Sequence, residues 1–249
     1  PAPPTPPPPP PAPTRTELDL WNDYTSLGHL VPRHMKTMIK TESITYANGT
    51  TSKITLHKEH LPVYKNFLRD LEAEVQKLIN DGVKGVKHTT HLYGEAFRVY
   101  SPGGGTNKSS RYNSPHNSGY ALDFKVPKSL KKTRNRKNRK HWVNLVVSLG
   151  LKHGYTRFGI GGGIIHMDMG KSYNMTTGAP TKPLQRWWVY DGARPVTSVS
   201  FKRTSTESKS RLSAEWFTGV SIGGVSNPAL KTVPAFLQSW KPTDVTWDK

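Results

Sequence analysis

Residues 114–124 read SPHNSGYALDF, and the reading of this stretch decides the fold. His116 stands before Asp123, with Gly119 and the small Ala121 between them. The run GYALDFKV at 119–126 alternates and predicts a strand. Residues two apart on a strand share a face, so Ala121 and Asp123 point the same way. A second stretch, GIIHMDMG at 163–170, predicts another strand on which His166 and Asp168 share a face. A loop histidine and two strand residues can then converge on one ion. Two imidazoles, one carboxylate and a water would give zinc a four-coordinate, open site made of His116, Asp123 and His166. Gly119 would let the backbone bend or approach closely beside these ligands. The residues alone leave two plainer readings open: a surface histidine at 116, and a His-x-Asp unit that is only a hydrogen-bonded pair.

Working outward, RKHWVNLVVSLGLKHG at 139–154 predicts a helix with Trp142, Leu145, Val146 and Leu149 on one face and Gly154 as its cap. YTRFGI at 155–160 predicts a strand, as does EAFRVYS at 95–101, and PGGGTNKSSRYNSP at 102–115 a long loop. The stretch 61–80 places Val63, Phe67, Leu68, Leu71, Val75, Leu78 and Ile79 at helical spacing, with Pro62 in the first turn and Gly82 as the stop. SITYANGTTSKITL at 43–56 alternates around Asn48-Gly49, a pair suited to hairpin turns. The order of elements predicts an α+β domain with a small antiparallel sheet and flanking helices. Residues 1–13 hold ten prolines and predict an extended spacer or a tract for a proline-binding groove. Beyond 173 the texture changes: RWWVYDG and VTSVSFKRTS predict strands within a β-rich C-terminal extension. The expected divisions are a proline-rich linker at 1–14, an N-terminal extension with a hairpin at 15–59, a central domain at 60–173 and an extension at 174–249.

SPHNSGYALDF resembles the Ser-x-His-x-x-Gly-x-Ala-x-Asp signature of the D-alanyl-D-alanine carboxypeptidase superfamily of zinc peptidases. That superfamily includes VanY-like carboxypeptidases and phage endolysins, and the hedgehog signalling domain shares its fold. GIIHMDMG resembles the second signature, and the resemblance covers roughly residues 60–172. It implies that His116, Asp123 and His166 bind Zn2+, and that a metal-activated water attacks a peptide bond of bacterial peptidoglycan. Many members carry an acidic base three residues before the last histidine, where this chain has Gly163. Some carry His-x-Asp instead, as here, which makes Asp168 the candidate catalytic base; its alternative role is to orient His166. Members often place an arginine near the substrate carboxylate, where this chain reads SPGGG; Arg98 and Arg111 are the candidates to replace it. A catalytically inactive, hedgehog-like use of the fold is the competing reading.

The formal charge is +19, from 36 Lys and Arg against 17 Asp and Glu, which favours a polyanionic partner. Much of it lies in KVPKSLKKTRNRKNRK at 125–140, nine basic residues without an acid. The segment reads as a solvated loop leading into the helix, or as an anchor on anionic cell wall or packaged nucleic acid. It holds no aromatic platform for base stacking. The absence of cysteine excludes disulfides and thiolate chemistry, so any metal must use His, Asp or Glu. No apolar run of about eighteen residues predicts a membrane span. No signal peptide is read, and a chain starting at Pro1 is expected to be a trimmed product or a piece of a longer polypeptide. These features lead to the expectation of a zinc peptidase module of a phage virion-associated lysin, virion-borne or facing the cell wall, with peptidoglycan and other virion proteins as partners. A binding or structural module of the same fold is the alternative.

Overall fold

The computed structural model describes residues 23–24, 30–31, 37–92, 96–100, 108–109, 114–160, 163–171, 186–189 and 236–249. Strands β1 (Asp23–Tyr24) and β2 (Leu30–Val31) pair briefly and antiparallel. Strands β3 (Ile39–Thr45) and β4 (Thr51–His57) form the hairpin expected around Asn48-Gly49. Gly49 sits at φ 81°, and its N–H donates to the Tyr46 carbonyl at 2.9 Å, closing the turn.

Helix α1 (His60–Asn80) follows at once. Leu61, Tyr64, Phe67, Leu68, Leu71, Val75 and Leu78 form its buried stripe, whereas Val63 and Ile79 are only partly buried. Of the expected strand at 95–101, residues 96–100 are described, and among them Val99–Tyr100 (β5) pairs, in parallel, with β6 (Lys108–Ser109). Ahead of it the backbone bonds with the 114–120 turn instead of a sheet. The Ala96 carbonyl accepts from the His116 ring, and the Arg98 N–H donates to the His116 carbonyl.

The main sheet contains β7 (Ala121–Lys125), β8 (Arg157–Ile160), β9 (Ile164–Asp168) and β10 (Arg186–Val189) in the order β10-β8-β9-β7. β9 is antiparallel to both neighbours, while β10 joins the edge in parallel with β8, a mixed edge that the sequence reading missed. Helix α2 (Arg136–Lys152) connects β7 to β8. Phe124, Phe158, Ile165 and Met167 of the sheet belong to one core with Phe67 of α1 and Trp142 and Val146 of α2. Phe67 and Phe124 meet edge to face at 5.6 Å. Each such fully buried apolar side chain contributes about 1.5–3 kcal/mol. The described residues thus form an α+β fold.

One expectation requires correction. The basic segment is not a loop leading into a helix at 139. It folds into 3-10 turns at Lys128–Lys131 and Thr133–Asn135, and α2 already starts at Arg136. Leu130 is fully buried and Asn138 and Arg139 are buried, while Lys128, Lys131, Lys132, Arg134 and Lys137 stay exposed. A few inward residues therefore fix the path of a charged run. The C-terminal extension, as far as it is described, supplies β10, a short helix α3 (Phe236–Ser239) and a 3-10 turn at Pro242–Asp244. VTSVSFKRTS and the proline tract lie outside the described residues. Leu237 and Trp247 join the core, and Asp248 is clasped by Asn138 of α2. Among the described residues no helix is long and apolar enough to cross a membrane.

Candidate metal centre

The register of the sheet builds the site. Asp123 of β7 lies directly opposite His166 of β9, so alternation sends both side chains to one face while Phe124 and Ile165 turn to the other. The next row sets Ala121, Asp168 and Arg157 side by side across three strands. His116 arrives from the turn before β7. That turn depends on Gly119, at φ 73°, where a Cβ would come within 2.4 Å of the His57 backbone nitrogen. The Gly119 carbonyl accepts from the His57 N–H at 3.0 Å and the His60 ring at 2.9 Å, pinning the turn to β4 and α1.

Three donor atoms converge. His116 Nε2 lies 3.2 Å from His166 Nδ1, and Asp123 Oδ1 lies 3.1 Å from His166 Nδ1 and 3.6 Å from His116 Nε2. A tetrahedral ion with bonds of about 2.0–2.1 Å requires donor separations of about 3.3 Å. All three residues are buried, and the group can hold a metal ion.

The outer partners decide what those atoms offer. His116 Nδ1 is 2.7 Å from the Ala96 carbonyl, which can only accept, so this nitrogen carries the proton. His166 Nε2 donates to Asp168 Oδ2 at 2.8 Å. With outward protons fixed, both inward nitrogens aim lone pairs at each other and at the Asp123 oxygen. Three acceptors facing one point repel unless a cation or proton joins them. Burial pushes His116 down. Burial also acts to lower His166, but hydrogen bonds with Asp123 and Asp168 outweigh it and raise its pKa. Burial would raise the Asp123 carboxyl, yet its bonds with His116 and His166 hold it well below the usual carboxylate range.

Asp168, the expected catalytic base, lies on the outer side of the His166 ring. Its side chain is fully buried, Oδ1 accepts from the Gly170 N–H at 2.7 Å, and Oδ2 is bound to His166 with Arg157 Nε 3.3 Å away. It faces the His166 nitrogen that points away from the three donors. This geometry favours the orienting role over proton transfer with substrate. Arg98, named only as a substitute for a missing arginine, donates to Asp123 Oδ2 and so directs Oδ1 toward the histidines. Arg111 lies outside the described residues. At Gly163 a Cβ would meet the Lys131 ammonium at 2.3 Å, so a lysine occupies the space beside this residue. The Ala96 carbonyl and Arg157 escaped the sequence reading, because only the tertiary path and strand register place them here.

The chain matches no family model, no curated protein and no solved structure.

Proposed function

We propose that this protein is a zinc-dependent peptidase that cleaves peptide bonds of bacterial peptidoglycan, on a domain akin to the D-alanyl-D-alanine carboxypeptidases and the hedgehog domain, carried as a phage virion-associated lysin module. The observation that carries the reading is the convergence of the His116, His166 and Asp123 donor atoms, with both imidazole tautomers set by outward hydrogen bonds. Two nitrogens and one carboxylate oxygen suit zinc and leave a position open, as in hydrolytic sites. The order of the two sequence motifs supports the same reading.

Zinc held there supplies Lewis-acid polarisation of a carbonyl and acidifies water. The chain does the positioning. His116 and His166 are locked with lone pairs inward, and Arg98 restrains Asp123 so that one oxygen serves the site. Asp168 holds the His166 ring through its distal nitrogen, a contact that raises ligand basicity.

The test is mass spectrometry of purified peptidoglycan after incubation with the protein, with chelator and after zinc readdition. Release of peptides that stops with chelator and resumes with zinc is expected. His116→Ala and His166→Ala should lose zinc and turnover together. A protein carrying one zinc that releases no product from wall peptides overturns the enzymatic reading and leaves the binding module; Gly163 in place of an acid is the feature that favours that second reading.

A further inference from the structure

The strongest feature outside the metal centre is a cationic pocket where three distant segments meet. The turn at 84–85, the 3-10 stretch at 128–135 and the C-terminal residues 247–249 border an open pocket of about 980 Å³. Lys84, Lys132, Arg134 and Lys249 line it with one acidic side chain, that of Asp248. The Asp248 carboxylate already takes the Lys137 ammonium at 3.3 Å. Among the described residues no carboxylate pairs with the four lining cations.

The walls are built by hydrogen bonds and not by chance proximity of flexible chains. Asn138 donates to the Lys84 carbonyl at 2.9 Å and the Asp248 carbonyl at 2.8 Å, while its own oxygen accepts from the Asp248 N–H at 2.8 Å. The Lys84 N–H also donates to the Asp248 carbonyl. Ser129 donates to the Gly85 carbonyl at 2.5 Å, and Asn135 to the Ser129 carbonyl at 2.8 Å. Gly85 lies at φ 82°, and a Cβ there would stand 2.4 Å from Asn135 Nδ2, so the turn and the 3-10 stretch are in close contact. Hydrogen bonds thus anchor Lys84, Ser129, Asn135 and Asp248, and with them the walls to which the cations belong.

Like charges gathered in one concavity repel one another and concentrate anions from solution. We infer that this pocket binds a phosphate-bearing polyol chain, a phosphodiester polymer without bases. The choice against nucleic acid comes from the one aromatic lining residue. Trp247 is 9 % exposed, its ring packs edge-on against His141 at 5.2 Å, and its N–H donates to the Pro242 carbonyl. Among the described residues that line the pocket, no open ring is left on which bases could stack. The choice against a lipid surface comes from shape: the cations line a pocket and not a flat apolar face. The selection of a wall-type polymer among base-free phosphodiesters rests on the wall-directed reading above. Binding to the pocket itself does not, because none of its lining residues belongs to the metal centre.

The test is calorimetric titration of the full chain with poly(glycerol phosphate) and, separately, with a single-stranded oligonucleotide of equal charge, at physiological ionic strength. The variant Lys132→Gln/Arg134→Gln/Lys249→Gln removes three pocket cations. The variant Lys40→Gln/Lys53→Gln/Lys58→Gln removes three exposed cations elsewhere. All six side chains are exposed or at the pocket rim, and unchanged thermal midpoints verify folding. The pocket variant should bind poly(glycerol phosphate) about tenfold or more weakly with a shallower salt dependence, and the control less than about twofold. Equal losses in the two variants, or no measurable binding of the polymer by the unmodified chain, overturn the site. Tighter binding of the oligonucleotide overturns the choice of ligand. Binding that persists in a protein without hydrolytic activity supports the pocket while the peptidase reading falls separately.

Discussion

Asp168→Asn separates the two roles open to this residue. In the native site the carboxylate accepts two donors at short range, His166 Nε2 at 2.8 Å and the Gly170 N–H at 2.7 Å. An amide of the same shape has one acceptor and one donor group. If its oxygen faces His166, its NH2 meets the Gly170 N–H, and a fully buried hydrogen bond is lost at a cost of about 1–3 kcal/mol. If its NH2 faces His166 instead, the imidazole must place its proton on Nδ1, the atom 3.1 Å from Asp123 that should offer a lone pair. Either way metal binding suffers, by about 10–100-fold in zinc affinity, or about 1.4–2.7 kcal/mol. Competition against a chromogenic chelator measures it directly, without a substrate. Zinc affinity within about threefold of the native protein, together with lost turnover, would refute the orienting argument and return Asp168 to proton transfer.

Two further perturbations probe the scaffold. Gly119→Ala combines a left-handed backbone with a Cβ driven to 2.4 Å from a backbone atom, and should destabilise the fold by about 2–4 kcal/mol; a thermal midpoint lowered by less than a degree or two would contradict it. Stability should also fall in acid. His60 and His91 are pushed down by burial to about 4 and about 3. Above the unfolded value near 6.5 neither state is protonated, and stability is complete. As pH drops below that value the unfolded chain takes up protons that the fold refuses, with a loss on the order of 3 kcal/mol for each group by pH 3–4. His91 stacks on Phe124 at 5.1 Å and its Nε2 has no partner among the described residues, so His91→Phe should flatten the decline in urea midpoints between pH 7 and 4. An unchanged slope would show that His91 is not part of it.

Much of the centre was legible because period-two patterning is local. Asp123 and His166 were assigned to one face each from their own strands, and the antiparallel register then set them opposite each other. Which His166 nitrogen faces Asp168 was not legible, since a His-x-Asp spacing is compatible with either ring nitrogen. The arrival of Arg98 at Asp123 depends on how residues 96–98 cross the 114–120 turn, a path decided by backbone bonds between segments. The basic run concealed a structured entry to α2, because Leu130 and Asn138 act from within a sequence dominated by charge. The return of residues 236–249 to α2 was invisible for a similar reason: Asn138 and Asp248 recognise each other across the chain with no shared periodicity.

The cross-strand register ties metal binding to folding in a discrete way. Leu122, Phe124, Ile165 and Met167 are core positions, and Asp123 and His166 are the residues between them. A slip of one residue in either strand would exchange the two faces, burying charge among aromatic rings and turning the apolar set outward. There is no intermediate register in which the donors are slightly displaced. Mutations elsewhere can therefore loosen the centre only through its loop histidine and its outer hydrogen bonds. The sheet half of the donor set is kept whole by the same selection that keeps the protein folded.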